Sequence, residues 1–91
     1  MIFEWDPAKA RRNRRKHRIS FEEVVTVFGD PFALTFLDPD HSLSENRLIT
    51  IGSSRAGRVL FLAHADRNDT VRIISARKAT PREREQYEKT N

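Results

Sequence analysis

Several side chains in this 91-residue sequence could act on a phosphate. Arg77 and Lys78 end the run Val71–Lys78, whose apolar start marks it as a strand, so these cations sit on a fixed element. Neighbours on a regular strand point to opposite faces. That places Arg77 with Val71, Ile73 and Ser75, and Lys78 with Arg72, Ile74 and Ala76. Arginine is the better bidentate phosphate clamp, which favours Arg77. Its competing use is an ion pair with Glu83, Glu85 or Glu88 just downstream. His17 could give or take a proton, since a free imidazole titrates near neutrality, and it fits a hydrogen-bonded structural histidine equally well. Lys16 could bind phosphate or be one more solvated cation. Tyr87 could donate a proton or stack on a base, or be the anchor of its helix. Glu45 could serve as a base or pair with Arg47. Asp38, Asp40, His41 and Glu45 crowd one loop, but their spacing matches no metal motif and Asp-Pro-Asp is ordinary turn chemistry, so no metal is expected.

These groups need elements to hold them. Ile2–Trp5 alternates and could be a short strand. Asp6-Pro7 is a helix start: Asp caps free N–H groups and Pro occupies the first turn. The helix runs to about His17, with Ala10, Asn13 and His17 on one face. Ser20 and Glu23 form a capping box for a second helix, with Ile19 and Val24 as its staple. Phe21, Val24, Val25 and Phe28 give that helix a core-facing stripe; Gly29 can cap its end and Asp30-Pro31 stops it. Strands are expected at Ala33–Leu37, Arg47–Gly52, Arg58–Ala65 and Val71–Lys78, with turns at Ser53–Gly57 and Arg67–Thr70. Val59–Ala63 is apolar on both faces, which suits a central strand. Thr80-Pro81-Arg82-Glu83 opens a last, polar helix in which Tyr87 is the sizeable apolar body. The expectation is one α+β domain over residues 1–91: two N-terminal helices packed on one face of an antiparallel sheet of about four strands, then a C-terminal helix.

Composition narrows the classes. There is no cysteine, which excludes disulfides and thiolate-bound metal. No apolar run is long enough to span a bilayer, and the N-terminus lacks a signal-peptide pattern, so a cytoplasmic protein with no membrane partner is expected. The net charge is +4, and residues 1–18 supply it: seven Lys/Arg stand against two acids there, and ten against eleven elsewhere. Such a segment suits a polyanion or an acidic protein, or is simply a solvated helix face.

Taken together, Phe3–Lys9 (FEWDPAK), Asn13, Lys16-His17, Ser20–Glu23 (SFEE), Val27–Pro31 (VFGDP), Glu45-Asn46-Arg47, Ile51-Gly52 and Arg72–Thr80 (RIISARKAT) resemble the BrnT family of type II toxins. The pieces span nearly the whole chain in the family's order. The resemblance implies a RelE-like fold and a ribonuclease that arrests translation and growth. It implies an antitoxin partner, BrnA, with a ribbon-helix-helix domain, and operator DNA contacted only through the complex with that antitoxin. One position departs: the family's usual Gly after Lys-His is Arg18. A left-handed turn there would suit Gly, so Arg18 either carries a small strain or the turn differs.

An RNA substrate carries its own nucleophile, the 2′-OH, and can be cut without metal or other cofactor. The protein must align the phosphate, move protons at the 2′- and 5′-oxygens, and neutralise charge on the phosphorane. The candidate catalytic residues are His17, Lys16, Arg77, Tyr87 and Glu45; Tyr87 draws on a likeness to C-terminal tyrosines of RelE-like toxins. Lys9, Arg11, Arg12, Arg15, Arg47 and Lys78 are the candidate RNA-backbone contacts. The other reading is a non-catalytic module whose basic helix binds nucleic acid or an acidic antitoxin segment.

Overall fold

The computed structural model describes residues 1–41 and 46–89. In chain order the elements are β1 (Ile2–Glu4), α1 (Pro7–His17), α2 (Phe21–Val27), β2 (Leu34–Leu37), β3 (Arg47–Ser53), β4 (Val59–Arg67), β5 (Thr70–Lys78) and α3 (Pro81–Lys89).

The local signals act largely as the residues dictate. Asp6 accepts from Ala8 N–H at 2.8 Å with Pro7 opening α1. Ser20 Oγ accepts from Glu23 N–H at 3.1 Å, but the Glu23 carboxylate does not close the box. It turns instead to Ser54 Oγ at 2.7 Å and to the Arg58 guanidinium, so the N-terminus of α2 is tied to the β3–β4 hairpin. Those bonds, Arg58's first, hold Glu23 below the usual carboxylate range against the opposing effect of burial. Gly29 is not the expected left-handed cap. The chain leaves α2 through Phe28 in a right-handed conformation and a series of tight turns, ended by Asp30-Pro31.

Arg18 settles the alternative posed by its sequence. It keeps the left-handed turn, at φ 61° and ψ 33°, and its N–H donates to Arg14 O at 2.9 Å as a helix cap. A side chain in this region costs roughly 1–2 kcal/mol.

The sheet has five strands in the order β1-β5-β4-β3-β2, the short strand at Ile2–Glu4 joining the other four. It is mixed rather than antiparallel, because β1 pairs parallel to β5 at one edge while the other pairs are antiparallel. β4 is central, as its two apolar faces require.

The helices are not all on one face. α1 and α2 cover one side, where Ile19, Phe21, Val24 and Val27 pack on Leu60, Leu62, Val71, Ile73 and Ala76. α3 packs against the other side through Tyr87, over Ile49, Ile51, Val59 and Phe61. It leaves much of that second face open. On the helix-covered side, His64 is buried under Phe28, with Nδ1 2.7 Å from Asp66 and Nε2 2.7 Å from Thr50 Oγ1. Thr50 in turn meets Thr35 at 2.8 Å, so a chain of side-chain bonds ties β4 to β3 and β2.

One irregularity changes the reading of β5. Ala63 pairs with Ser75 and His64 pairs with Ile73, leaving Ile74 as a bulge. An unpaired extra residue reverses the alternation along the strand. Arg72, opposite Ala65, therefore lies on the same face as Arg77, opposite Phe61, and Val71 and Ile73 lie on the other. The regular-strand expectation had Arg72 and Arg77 on opposite faces.

Candidate functional site

The basic residues of α1 meet β5 at its bulge. α1 runs beside β5, and Asn13, its one buried residue, joins them. Asn13 Oδ1 accepts from Ala76 N–H at 3.0 Å, and its Nδ2 donates to Ile19 O at 3.1 Å. The amide thus satisfies a β5 backbone donor and fixes the turn after α1. With α1 so placed, Lys9, Arg12, Lys16 and His17 line a cleft of about 310 Å³ with Ile74 and Ser75. His17 is half-buried and no described residue hydrogen-bonds its ring. Lys16 is exposed beside it, and Arg11 and Arg15 are exposed on the same helix.

Ser75 also lines a second hollow, of about 380 Å³, on the open sheet face. Its floor is a single row across four strands, Phe36–Ile49–Ala63–Ser75. Arg47 and His41 stand at one end, both drawn to Asp38, whose Oδ2 is 3.3 Å from Arg47 Nε and 3.2 Å from His41 Nδ1. Asp38 Oδ1 accepts from Asp40 N–H at 3.0 Å, so this carboxylate is used within its own turn and on Arg47. Glu45 lies outside the described residues.

Arg77 lies outside this lining, paired with Phe61 of β4, and its acidic neighbour holds it. Nη1 and Nη2 donate to Glu83 Oε1 and Oε2 at 2.8 and 2.9 Å, and the guanidinium lies 4.0 Å above the centre of the Phe61 ring. Glu83 is fixed twice more by its capping box, accepting from Thr80 N–H at 2.9 Å and donating its own N–H to Thr80 Oγ1 at 3.2 Å. Arg77 is the chief reason the Glu83 carboxyl is held below its ordinary range, and Glu83 raises Arg77 in return. The side chain of Arg77 remains 37% exposed, and its Nη1 also donates to Lys78 O at 3.2 Å. Lys78, the next residue, is exposed beyond it.

Tyr87 points away from both clefts' shared residue. Its hydroxyl donates to Asp30 Oδ2 at 2.6 Å, and Asp30 also accepts from Ser53 and Phe32 N–H at 2.8 and 2.9 Å. Burial, then the Asp30 bond and charge, push the Tyr87 phenol up to about 12. Burial opposes ionisation of Asp30 too, but its three hydrogen bonds outweigh it and hold the carboxyl below its ordinary range. A larger hollow of about 510 Å³ lies beside Asp30, lined by Thr26, Ser53, Ser54 and Arg55, away from the basic face of α1.

The site is thus a surface in which α1 cations, a histidine without a hydrogen-bond partner among the described residues and a clamped arginine surround Ser75. Residues 5–83 match the family described as "Ribonuclease toxin, BrnT, of type II toxin-antitoxin system". The chain belongs to the BrnT family. Its fold is that of the Brucella abortus ribonuclease toxin BrnT, known from a 1.1 Å crystal structure: the TM-score is 0.68 at 20% identity, over 88% of this chain and 99% of that one. No curated protein matches. Among the described residues no helix is long and apolar enough to cross a membrane.

Within this BrnT fold, sequence reading singled out neither Ser75 nor Phe36. Ser75 is a small polar residue in an apolar run, and it lines both clefts. Asp38 was visible as a turn residue, but its hold on Arg47 depends on pairing between β2 and β3.

Proposed function

We propose that this toxin cleaves RNA at the surface around Ser75, through the substrate's own 2′-OH and without metal. The observation that carries this reading is the convergence of Lys9, Arg12, Lys16 and His17 on the bulged stretch of β5 that leads to Arg77. In the proposed reaction the 2′-oxygen attacks the adjacent phosphorus and loses its proton. The P–O5′ bond breaks, and the 5′-oxygen takes a proton. Products are a 2′,3′-cyclic phosphate and a 5′-hydroxyl. His17 is the assigned proton-transfer group, worth about 10²–10⁴-fold. Lys16 and Arg77 neutralise the phosphorane, Arg77 being preorganised by Glu83 and Phe61. Arg11, Arg15, Arg47 and Lys78 contribute backbone attraction. Tyr87 enters as the anchor of α3, and so of Glu83, rather than as a proton donor; a phenol pushed up to about 12 and bonded to Asp30 suits that role.

As a type II toxin the chain implies an antitoxin. We infer a BrnA-like ribbon-helix-helix partner that neutralises it in the cytoplasm and supplies the contacts to operator DNA. A second reading has its own support: Arg77 is already engaged by Glu83, which suits a basic module that binds without cutting. Growth arrest by variants separates them. His17→Gln and Ser75→Trp should abolish arrest while both chains fold and bind the antitoxin. Arrest as strong as wild type with both substitutions would sink the catalytic assignment.

A further inference from the structure

We propose that Arg47 and Arg72 form a second phosphate subsite on the sheet face that α3 leaves open, and that single-stranded RNA crosses Ala65 there on its way to the Ser75 cleft. The subsite rests on the ribonuclease reading for its ligand, and on the bulge for its geometry.

Arg47 pairs with Ala65, and Ala65 pairs with Arg72, so the three residues form one row on one face. Two strand spacings put the arginine backbones about 10 Å apart, with only a methyl group between them. Two long side chains facing each other across so small a residue leave room for one anion that both can reach. Without the bulge at Ile74, Arg72 would point to the helix-covered side and the row would not exist.

Neither arginine is fully used by the protein. Arg72 is exposed and makes no ion pair or hydrogen bond with a described residue; Glu4, the next residue in its row, does not pair with it. Arg47 is directed by the buried Asp38: its buried Nε lies 3.3 Å from Asp38 Oδ2, an ion-pair contact without hydrogen-bond geometry. Arg67 lines the same hollow as Arg72.

The row beside this one supplies what a nucleotide chain needs besides charge. Ala63 follows Ala65 on the same face, about 7 Å along β4. Its row, Phe36–Ile49–Ala63–Ser75, is apolar, ends on a 38%-exposed phenylalanine, and leads to the proposed scissile position. A cationic rail beside an aromatic platform is the arrangement that holds single strands, through phosphates and base faces together. Two carboxylates stand beside these arginines: Asp38 pairs with Arg47 itself, and Glu4 lines the hollow of Arg72 without pairing with it; against them stand Arg47, Arg72 and Arg67.

The test is equilibrium binding of a short all-2′-O-methyl single-stranded RNA in EDTA across a salt series, alongside cleavage of unmodified RNA. Arg72→Gln should weaken binding about tenfold and lower the slope of log K against log salt by about 0.7 for the lost phosphate. Ala65→Leu, which fills the gap without changing charge, should weaken binding comparably, with an unchanged circular dichroism spectrum. Arg84→Gln, an exposed change on α3, should leave both quantities as in wild type. Equal binding by wild type and Arg72→Gln, or no binding by wild type, overturns the subsite. So does a loss confined to a polyglutamate peptide, which would assign the row to an acidic protein. Arg72-dependent binding by a wild type that does not cut RNA would keep the subsite and overturn the ribonuclease reading; cutting with Arg72-independent binding would do the reverse.

Discussion

Replacing Arg18 by glycine should make this protein more stable, and the size of the gain can be worked out. Arg18 holds φ 61° and ψ 33°, where a Cβ crowds the following carbonyl at a cost of roughly 1–2 kcal/mol. Glycine removes that cost but adds freedom to the unfolded chain, worth about 0.4–1 kcal/mol in the other direction. The contacts of Arg18 recorded in the fold belong to its backbone: its N–H donates to Arg14 O at 2.9 Å and its carbonyl accepts from Arg58 at 3.2 Å. Both survive the substitution. A cation near the end of α1 is lost, worth about 0.3 kcal/mol at an exposed helix C-terminus. The net is a gain of about 0.5 kcal/mol, or a rise in melting temperature of roughly 2–4 °C for a chain of this size. Arg18→Ala removes the charge and keeps the Cβ, so it should melt at or slightly below wild type. Thermal denaturation followed by circular dichroism at fixed pH and salt compares the three. An Arg18→Gly protein that melts below Arg18→Ala would refute the strain argument, since the alanine controls for the lost side chain.

The other predictions concern single contacts. Asn13→Ala strips partners from Ala76 N–H and Ile19 O and should cost about 2–4 kcal/mol, read as a fall in urea midpoint. Gly52→Ala places a methyl 2.8 Å from Val27 Cγ1 and 2.9 Å from Ala33 Cβ, and should cost about 1–3 kcal/mol by overpacking, measured in the same way. Tyr87 should titrate by ultraviolet absorbance near 12. Because the folded protein holds that proton more tightly than the unfolded chain, its contribution is complete below about pH 10 and fades as pH rises towards 12. Tyr87→Phe should lose about 1.5–3 kcal/mol at neutral pH and abolish that alkaline dependence.

Much of this fold could be read locally. The capped starts of α1, α2 and α3, the two-faced apolarity of β4 and the turn at Arg67–Thr70 each follow from a few adjacent residues. What escaped depended on distant partners. The parallel pairing of β1 is decided by where β5 arrives, 68 residues later in register. Gly29 offers a left-handed cap, but the chain turns at Asp30, whose carboxylate is held by Phe32 locally and by Ser53 and Tyr87 through contacts that exist only in the finished fold. α3 crosses to the opposite face because Tyr87 finds Asp30 there and Glu83 finds Arg77.

The candidate site shows the same division. His17 and Lys16 were visible as chemistry beside a basic helix, and Arg77 as either a phosphate ligand or a partner of the acidic helix. The ion pair with Glu83 is formed. Regular alternation puts Arg72 and Arg77 on opposite faces of β5, and the bulge puts them on one. Nothing in Val71–Lys78 signals a bulge at Ile74; it arises from matching Ala63 and His64 to a strand that is one residue longer over the same span.

The most direct measurement is the chemistry of the cut ends. Antitoxin-free protein is incubated in EDTA with RNA, and with the same sequence fully 2′-O-methylated. The account predicts fragments with 2′,3′-cyclic phosphates and 5′-hydroxyls from the first and none from the second. Cutting that appears only on addition of Mg²⁺, or that persists on the 2′-O-methyl strand, would contradict it.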